Sequence, residues 1–531
     1  MMLRHLKALP VVLLAASAAA CAVQADDTSV QEDDLTSVTA RTRSLKFAGY
    51  VYVRDGASDS EILSAVRRQT QSAFGAMRTS DIGVQSHEFK DVDPQTFVKT
   101  KVKVVDTTKA NDAGTTMLKV SYTFTDTALV PKTMSTSTSI SMGLLNGYYQ
   151  SQSDRILKEC TNGDAHAHEF QSSIWYVFEP RLSSCKTAMA AEQKLIDADK
   201  GKLKDATSIP LSEVNRLYIP ATGALKATST SSGTKYPEYD RLFSGGVQKD
   251  KVVIGMVNGL MADWAAGEKH DTIDDEGYGM WFEGMREIFQ ARPGFKMTKI
   301  EPQEDLTTFS VGGKSIKLAG GIDDVMKMEL DGTFPQTATD HRALRVAAAN
   351  KLLKHWVTFQ VPVSVTMGGQ TKTVTIELNT YFGAETDPTP YKRAVKGSDI
   401  MVYNGHSYIG YGPLDPSNFS ASDFPQSYQI IVVNGCISFN YYDHYFGLKS
   451  GGTKNLDTIT NGLESWVGGS GPAMGRLVGA MIDGKMNSYA TILKAGQFDY
   501  YAYGWGNDAL RVVDGEVDNV YKPSKTPITL K

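Results

Sequence analysis

Residues 400–406 read IMVYNGH and residues 430–436 read IIVVNGC. Each is a short apolar run, then Asn-Gly, then one side chain able to do chemistry: His406 in the first and Cys436 in the second. Continuous apolar runs separated by helices or long loops signal parallel strands buried on both faces. Ligands of such sheets gather outside the carboxyl ends of the strands. Parallel neighbours would therefore bring His406 and Cys436 to one edge despite their separation in sequence.

The surrounding pattern supports an α/β domain over residues 331–531. TATDHRALRVAAANKLLKHW (337–356) predicts a capped helix that runs into a hairpin, WVTFQVPVSVT and KTVTIELNTYF, turning at Gly368-Gly369. DPTPYKRAVKG predicts a short helix with Pro388 near its start, and a helix-rich stretch follows Cys436 up to about residue 498. Residues 46–330 read as an α+β region. FAGYVYV, TFVKTKVKVVD and TMLKVSYTFTD are strands, SDSEILSAVRRQTQSAFGAM and TAMAAEQKLIDADKGKL are helices, and the Ser/Thr-rich MSTSTSISMGLL and ATSTSSGTKYPEYD are loops. KVVIGMVNGLMADWAAG reads as helical or as strand then helix. No internal repeat is evident beyond the two Asn-Gly phrases.

At 531 residues the chain needs two or three domains, and 41% hydrophobic with 21% charged residues is ordinary globular composition. A net charge of −4 points away from nucleic acid, which calls for a basic face. Residues 1–25 form a targeting segment: Arg4, His5 and Lys7 precede an apolar stretch and small residues. Cleavage after Ala25 gives a freely exported protein; cleavage before Cys21 gives a lipoprotein carried on a lipidated Cys21, the one route to a membrane. Both readings place the mature chain outside the cytoplasm, behind a flexible acidic tether over residues 26–45. In an oxidising compartment Cys160 and Cys185 are the natural disulfide pair, which leaves Cys436 as an odd thiol, either buried and inert or reactive. The His166-Ala-His168 pair lacks further spaced ligands and is read as a polar loop, so no metal site is expected.

A thiol attacks as its thiolate, and an imidazole beside it takes the proton or stabilises the anion. Gly405 and Gly435 allow a sharp turn and close approach to main-chain N–H donors, while Asn404 and Asn434 tolerate unusual dihedrals and support the turn. The pair of strand ends thus makes a coherent acyl-transfer proposal, set against the plain alternative of two ordinary turns.

VYNGHSYIGYG and IIVVNGCISFNYY resemble the caspase-like superfamily of cysteine peptidases, its gingipain branch most of all. NLDTITNGLESWVGGSGPAMGRLVGAMIDGKMNSYATIL and GWGNDALRVV resemble the loop, helix and closing strand beyond its nucleophile. The resemblance covers roughly residues 372–515. It implies a mostly parallel sheet flanked by helices, His406 as base or imidazolium partner, Cys436 as nucleophile, and an oxyanion hole from the Cys436 N–H with one beside His406. The superfamily usually has Gly directly after the His, where this chain has Ser407. The expectation is an exported bacterial cysteine hydrolase acting on peptide or protein substrates with no cofactor. The alternative is a non-catalytic surface or binding protein on a decayed caspase-like domain.

Overall fold

The computed structural model describes residues 35–84, 92–162, 170–228, 233–260, 277–333, 338–465, 467–497 and 508–531. The targeting segment with Cys21 and the His166-Ala-His168 loop lie outside them. The described chain falls in one compact unit that begins at Glu32. It is an α/β protein with mixed sheets.

The first sheet holds β1 (Ala40–Arg54), β2 (Gly83–Val84), β3 (Val98–Val105), β4 (Thr115–Pro131), β5 (Ser139–Leu145), β6 (Ser208–Pro210) and β7 (Tyr218–Ala227). Their order is β5-β7-β1-β4-β3-β6, with β2 against β4. The helix Asp59–Arg78 packs on it through Ile62, Val66, Phe74 and Met77, and starts at a Ser58–Glu61 capping box. Two sequence expectations change here. The stretch read as a Ser/Thr loop forms β5 over Ser139–Leu145, because its alternate residues Ile140, Met142 and Leu144 face the core. The expected tether ends earlier than residue 45, since β1 begins at Ala40. The residues before it are tied down as well: Val513 N–H donates to the Thr36 carbonyl at 2.9 Å, and the Ser37 hydroxyl to that of Arg511 at 2.7 Å.

The second sheet holds β8 (Lys251–Gly259), β9 (Lys296–Glu301), β12 (Trp356–Met367), β13 (Gln370–Gly383), β14 (Ile400–Asn404), β15 (Gln429–Asn434), β16 (Leu456–Asn461), β17 (Arg511–Asp514) and β18 (Ile528–Leu530). A small separate hairpin is made by β10 (Thr308–Val311) and β11 (Lys314–Lys317). The β12–β13 hairpin closes with Met367 opposite Gln370, and its turn residues Gly368 and Gly369 both have positive φ, 58° and 77°. The expected domain start at residue 331 moves back to β8. Of the two readings of KVVIGMVNG, the strand is the one formed: it is an interior parallel strand, paired with β13 on one side and β14 on the other.

The parallel strands lie in the order β13-β8-β14-β15-β16. In chain order that is 2-1-3-4-5, a doubly wound arrangement whose direction switches beside β8. One face buries Ile254, Met256, Val402 and Val432 against the helices Gly277–Ala291 and Val467–Ile482, through Trp281, Phe282, Met474 and Leu477. The other face, with Val257, Met401, Ile431 and Val433, shares an apolar cluster with Phe74, Trp175 and Tyr176 of the N-terminal region. Both faces being covered explains the continuous apolar runs. The expected bridge is present: Cys160 and Cys185 form a disulfide. Among the described residues no helix is long and apolar enough to cross a membrane.

At the amino end of β16 the Asp457 carboxyl is fully buried. Its Oδ2 accepts from the Tyr428 and Tyr489 hydroxyls and from Asn519 Nδ2, while Oδ1 has no partner among the described residues. Burial pushes this carboxyl up to about 7. A folded value above the unfolded one contributes stability that is present below about pH 4 and lost as pH rises through about 7. Asp457→Asn keeps the acceptor and removes the charge. Thermal melts should show the variant gaining on the wild type by on the order of 1–3 kcal/mol between about pH 5 and about pH 8. An unchanged gap across that range would show that the Asp457 carboxyl ionises in the folded protein as it does in the unfolded chain.

Candidate active site

The two phrases that opened the sequence are adjacent strand ends. β14 and β15 pair in parallel with Asn404 opposite Asn434, and the Gly405 N–H reaches the Asn434 carbonyl at 3.4 Å. His406 and Cys436 each stand two residues beyond that pair, at equal register. From Ser398 to Ser407 every residue is buried except His406, and from Tyr428 to Tyr442 every residue is buried except Cys436. A Cβ placed on Gly435 would lie 3.2 Å from the Gly405 carbonyl oxygen and 3.4 Å from Ser407 N. The structure thus brings Gly405, Ser407 and Gly435 together beside His406 and Cys436.

Four of the five parallel strands end in Asn-Gly. β8 ends in Asn258-Gly259 and β16 in Asn461-Gly462, an echo already legible in the sequence. Side chains alternate along a strand, so the asparagines face the helix layer and the glycines the opposite face. Asn258 lies opposite Asn404. Asn434 Nδ2 donates to Asn404 Oδ1 at 2.8 Å and to the Ser470 hydroxyl at 3.0 Å, and Asn461 Nδ2 donates to Asn434 Oδ1 at 2.9 Å. The buried Arg511 guanidinium completes the ladder, giving Nη2 to Asn434 Oδ1 at 2.9 Å and Nε to Asn461 Oδ1 at 3.0 Å. The supporting role expected of Asn404 and Asn434 is therefore carried by side chains hydrogen-bonded from strand to strand.

On the glycine face the organising group is Glu385, which lay outside every sequence expectation. Its buried carboxylate accepts the His406 N–H at 2.9 Å and the Tyr408 hydroxyl at 2.6 Å. The Tyr403 hydroxyl sits between that carboxylate and the His406 carbonyl oxygen, 2.6 Å from the latter. Glu385 Oε1 occupies the space that side chains at 259 and 405 would fill, which is why both strand ends carry glycine. A lone Glu in a Gly-Ala-Glu-Thr loop gives no sequence signal.

Cys436 sits beneath a lid from the N-terminal region. Arg78, the last residue of its helix, pairs with Glu464 in the loop after β16, donates to the Tyr176 carbonyl at 3.1 Å and stacks 4.7 Å from the Tyr176 ring centre. Burial pushes the Cys436 thiol up and Glu464 adds to the rise; the Ser465 N–H and hydroxyl and the Arg78 charge pull the other way. The net direction keeps the thiol protonated at neutral pH. Directly after Cys436 the β-branched Ile437 has φ 54°, and after Ser407 both Tyr408 and Ile409 have φ near the same value, 50° and 55°. Such strain persists only where the surroundings impose it, and it gathers at functional sites.

No protein-family model, curated protein or solved structure matches the chain. Spectroscopic titration of the thiolate should give an inflection above that of an ordinary cysteine at ~8.5. In Glu464→Gln it should fall, because the carboxylate goes and Arg78 keeps its charge. An inflection that does not move would show that Glu464 leaves the thiol unaffected.

Proposed function

We propose that the chain is a cysteine hydrolase, an endopeptidase of the caspase/gingipain-like kind, in a latent state. The observation that carries this reading is the equal register of His406 and Cys436, each two residues beyond the paired ends of two buried parallel strands. The strain at Ile437, the Glu385 cradle under the His406 main chain and the parallel sheet with helices on one face support it. The Cys160–Cys185 disulfide accords with the exported location expected from the leader.

In this mechanism the Cys436 sulfur attacks the scissile carbonyl carbon and its proton passes to the His406 ring. The tetrahedral oxyanion is held by main-chain N–H groups at the Gly405–Ser407 and Gly435–Cys436 turns. Collapse expels the amine, which takes the proton back from His406 and leaves a thioester on Cys436. Water, deprotonated by His406, then releases the acid and frees the thiol. No metal or organic cofactor enters these steps. Substrates are peptides or proteins.

A second reading, a binding protein with a spent site, has its own support. The thiol is raised rather than lowered, and Ser407 stands where the superfamily has Gly.

The deciding assay is cleavage of a mixed peptide library, with products read by mass spectrometry. Wild-type cleavage should be lost by at least ~100-fold in Cys436→Ala and in His406→Ala, while both variants melt like the wild type. Cleavage that survives in Cys436→Ala would assign the activity elsewhere. No cleavage by the wild type, even with Arg78→Ala to open the lid, would favour the binding reading.

A further inference from the structure

Away from the strand ends, the second sheet carries a cavity of roughly 530 Å³ between β9, β12, β13, the start of β8 and the helix Thr389–Gly397. Its floor is the alternate face of the hairpin. Val357, Phe359 and Val361 of β12 point into the helix layer, so Trp356, Thr358 and Gln360 point the other way, beside Glu377 and Asn379 of β13. A sheet face this polar is costly to build without a use, since each group must be satisfied in place.

The floor is also fixed in position. Glu377 accepts from Lys251 Nζ at 2.6 Å, Gln360 Nε2 at 2.8 Å and Asn379 Nδ2 at 3.1 Å, and the Thr358 hydroxyl donates to Asn379 Oδ1 at 2.7 Å. Lys251 and its hydrogen-bonding neighbours hold Glu377 below the usual carboxylate range despite its burial. Arg393 forms one wall: its guanidinium lies 4.6 Å from the Trp356 ring centre and pairs with Glu301 at 2.6 Å. The guanidinium covers the nearly buried Trp356 indole, which Tyr381 flanks at 5.3 Å, and is itself the planar group beside the polar floor.

We propose that this cavity binds a saccharide of two or three rings. An anion would be served by Lys251, Lys299 and Arg393 but opposed by Glu301 and Glu377; a cation meets the reverse conflict. A sugar hydroxyl donates and accepts at once, which suits a lining that mixes carboxylates, side-chain amides and cationic donors. The planar Arg393 guanidinium, backed by the Trp356 indole, suits the flat face of a pyranose. The volume falls within the range of small-ligand sites. This inference does not rest on the Cys436–His406 reading, and the cavity is on the opposite half of β8 from Gly259.

The test is isothermal titration calorimetry of the whole protein with maltotriose, cellotriose and chitotriose, and separately with citrate. At least one trisaccharide should bind, about tenfold or more weaker in Arg393→Ala and weakened also in Lys299→Ala, both partly exposed positions. Cys436→Ala should bind like the wild type, which separates this site from the strand-end site. The inference is overturned if no trisaccharide binds, if citrate binds in their place, or if both wall variants bind sugar as the wild type does.

Discussion

Arg511 donates from a buried position to the side-chain oxygens of Asn434 and Asn461 and to the Gly496 carbonyl, and the carboxyl edge of the parallel sheet depends on those bonds. A guanidinium so placed is costly unless its donors are satisfied. Burial pushes it down to about 10, which still leaves it charged at neutral pH. The asparagines it engages pass the constraint along, through Asn434 to Asn404, so that β14, β15 and β16 end at one level. Because the register of a parallel pair sets which residues emerge together, this level is what sets His406 beside Cys436 in the sheet.

The two faces of that edge do different work. The asparagine face is packed under the helices Gly277–Ala291 and Val467–Ile482, and Asn404 Nδ2 touches Met280 Sδ at 3.4 Å. The glycine face accommodates Glu385, which grips the main chain at His406 and leaves that residue half-buried. Near the thiol, the N-terminal region contributes Arg78 from the end of its helix and Tyr176 from a loop, so that region packs against the proposed site. Its packing buries the thiol and raises it, and the strained Ile437 turn is held beneath the same cover. The proposed nucleophile is thus built into a rigid frame but kept protonated by what lies on top of it.

How much of this could be read beforehand follows from where the forces act. The strands ending at Asn404 and Asn434 were legible because burial on both faces writes a continuous apolar run, and the Gly368-Gly369 hairpin because positive φ demands glycine. For β8 the sequence leaves helix and strand open, because its run contains Gly255 and a short apolar run alone does not separate the two. Its Asn258-Gly259 ending, like Asn461-Gly462, was the overlooked clue. The start of β1 and the bonds at Thr36 and Ser37 were hidden by a polar composition that looks unstructured. Glu385, Arg78 and Glu464 had no local signature, since each acts through a partner distant in the chain.

The most direct measurement is the iodoacetamide alkylation rate of Cys436 at neutral pH in the wild type, Arg78→Ala and the double variant Arg78→Ala/His406→Ala. The account expects a slow wild type, a rate at least ~10-fold faster once the Arg78 cover is removed, the gain in access outweighing the lost positive charge, and loss of most of that gain when His406 is also removed. Equal rates in the single and double variants would contradict it, because the thiol would then be exposed without being paired to the imidazole.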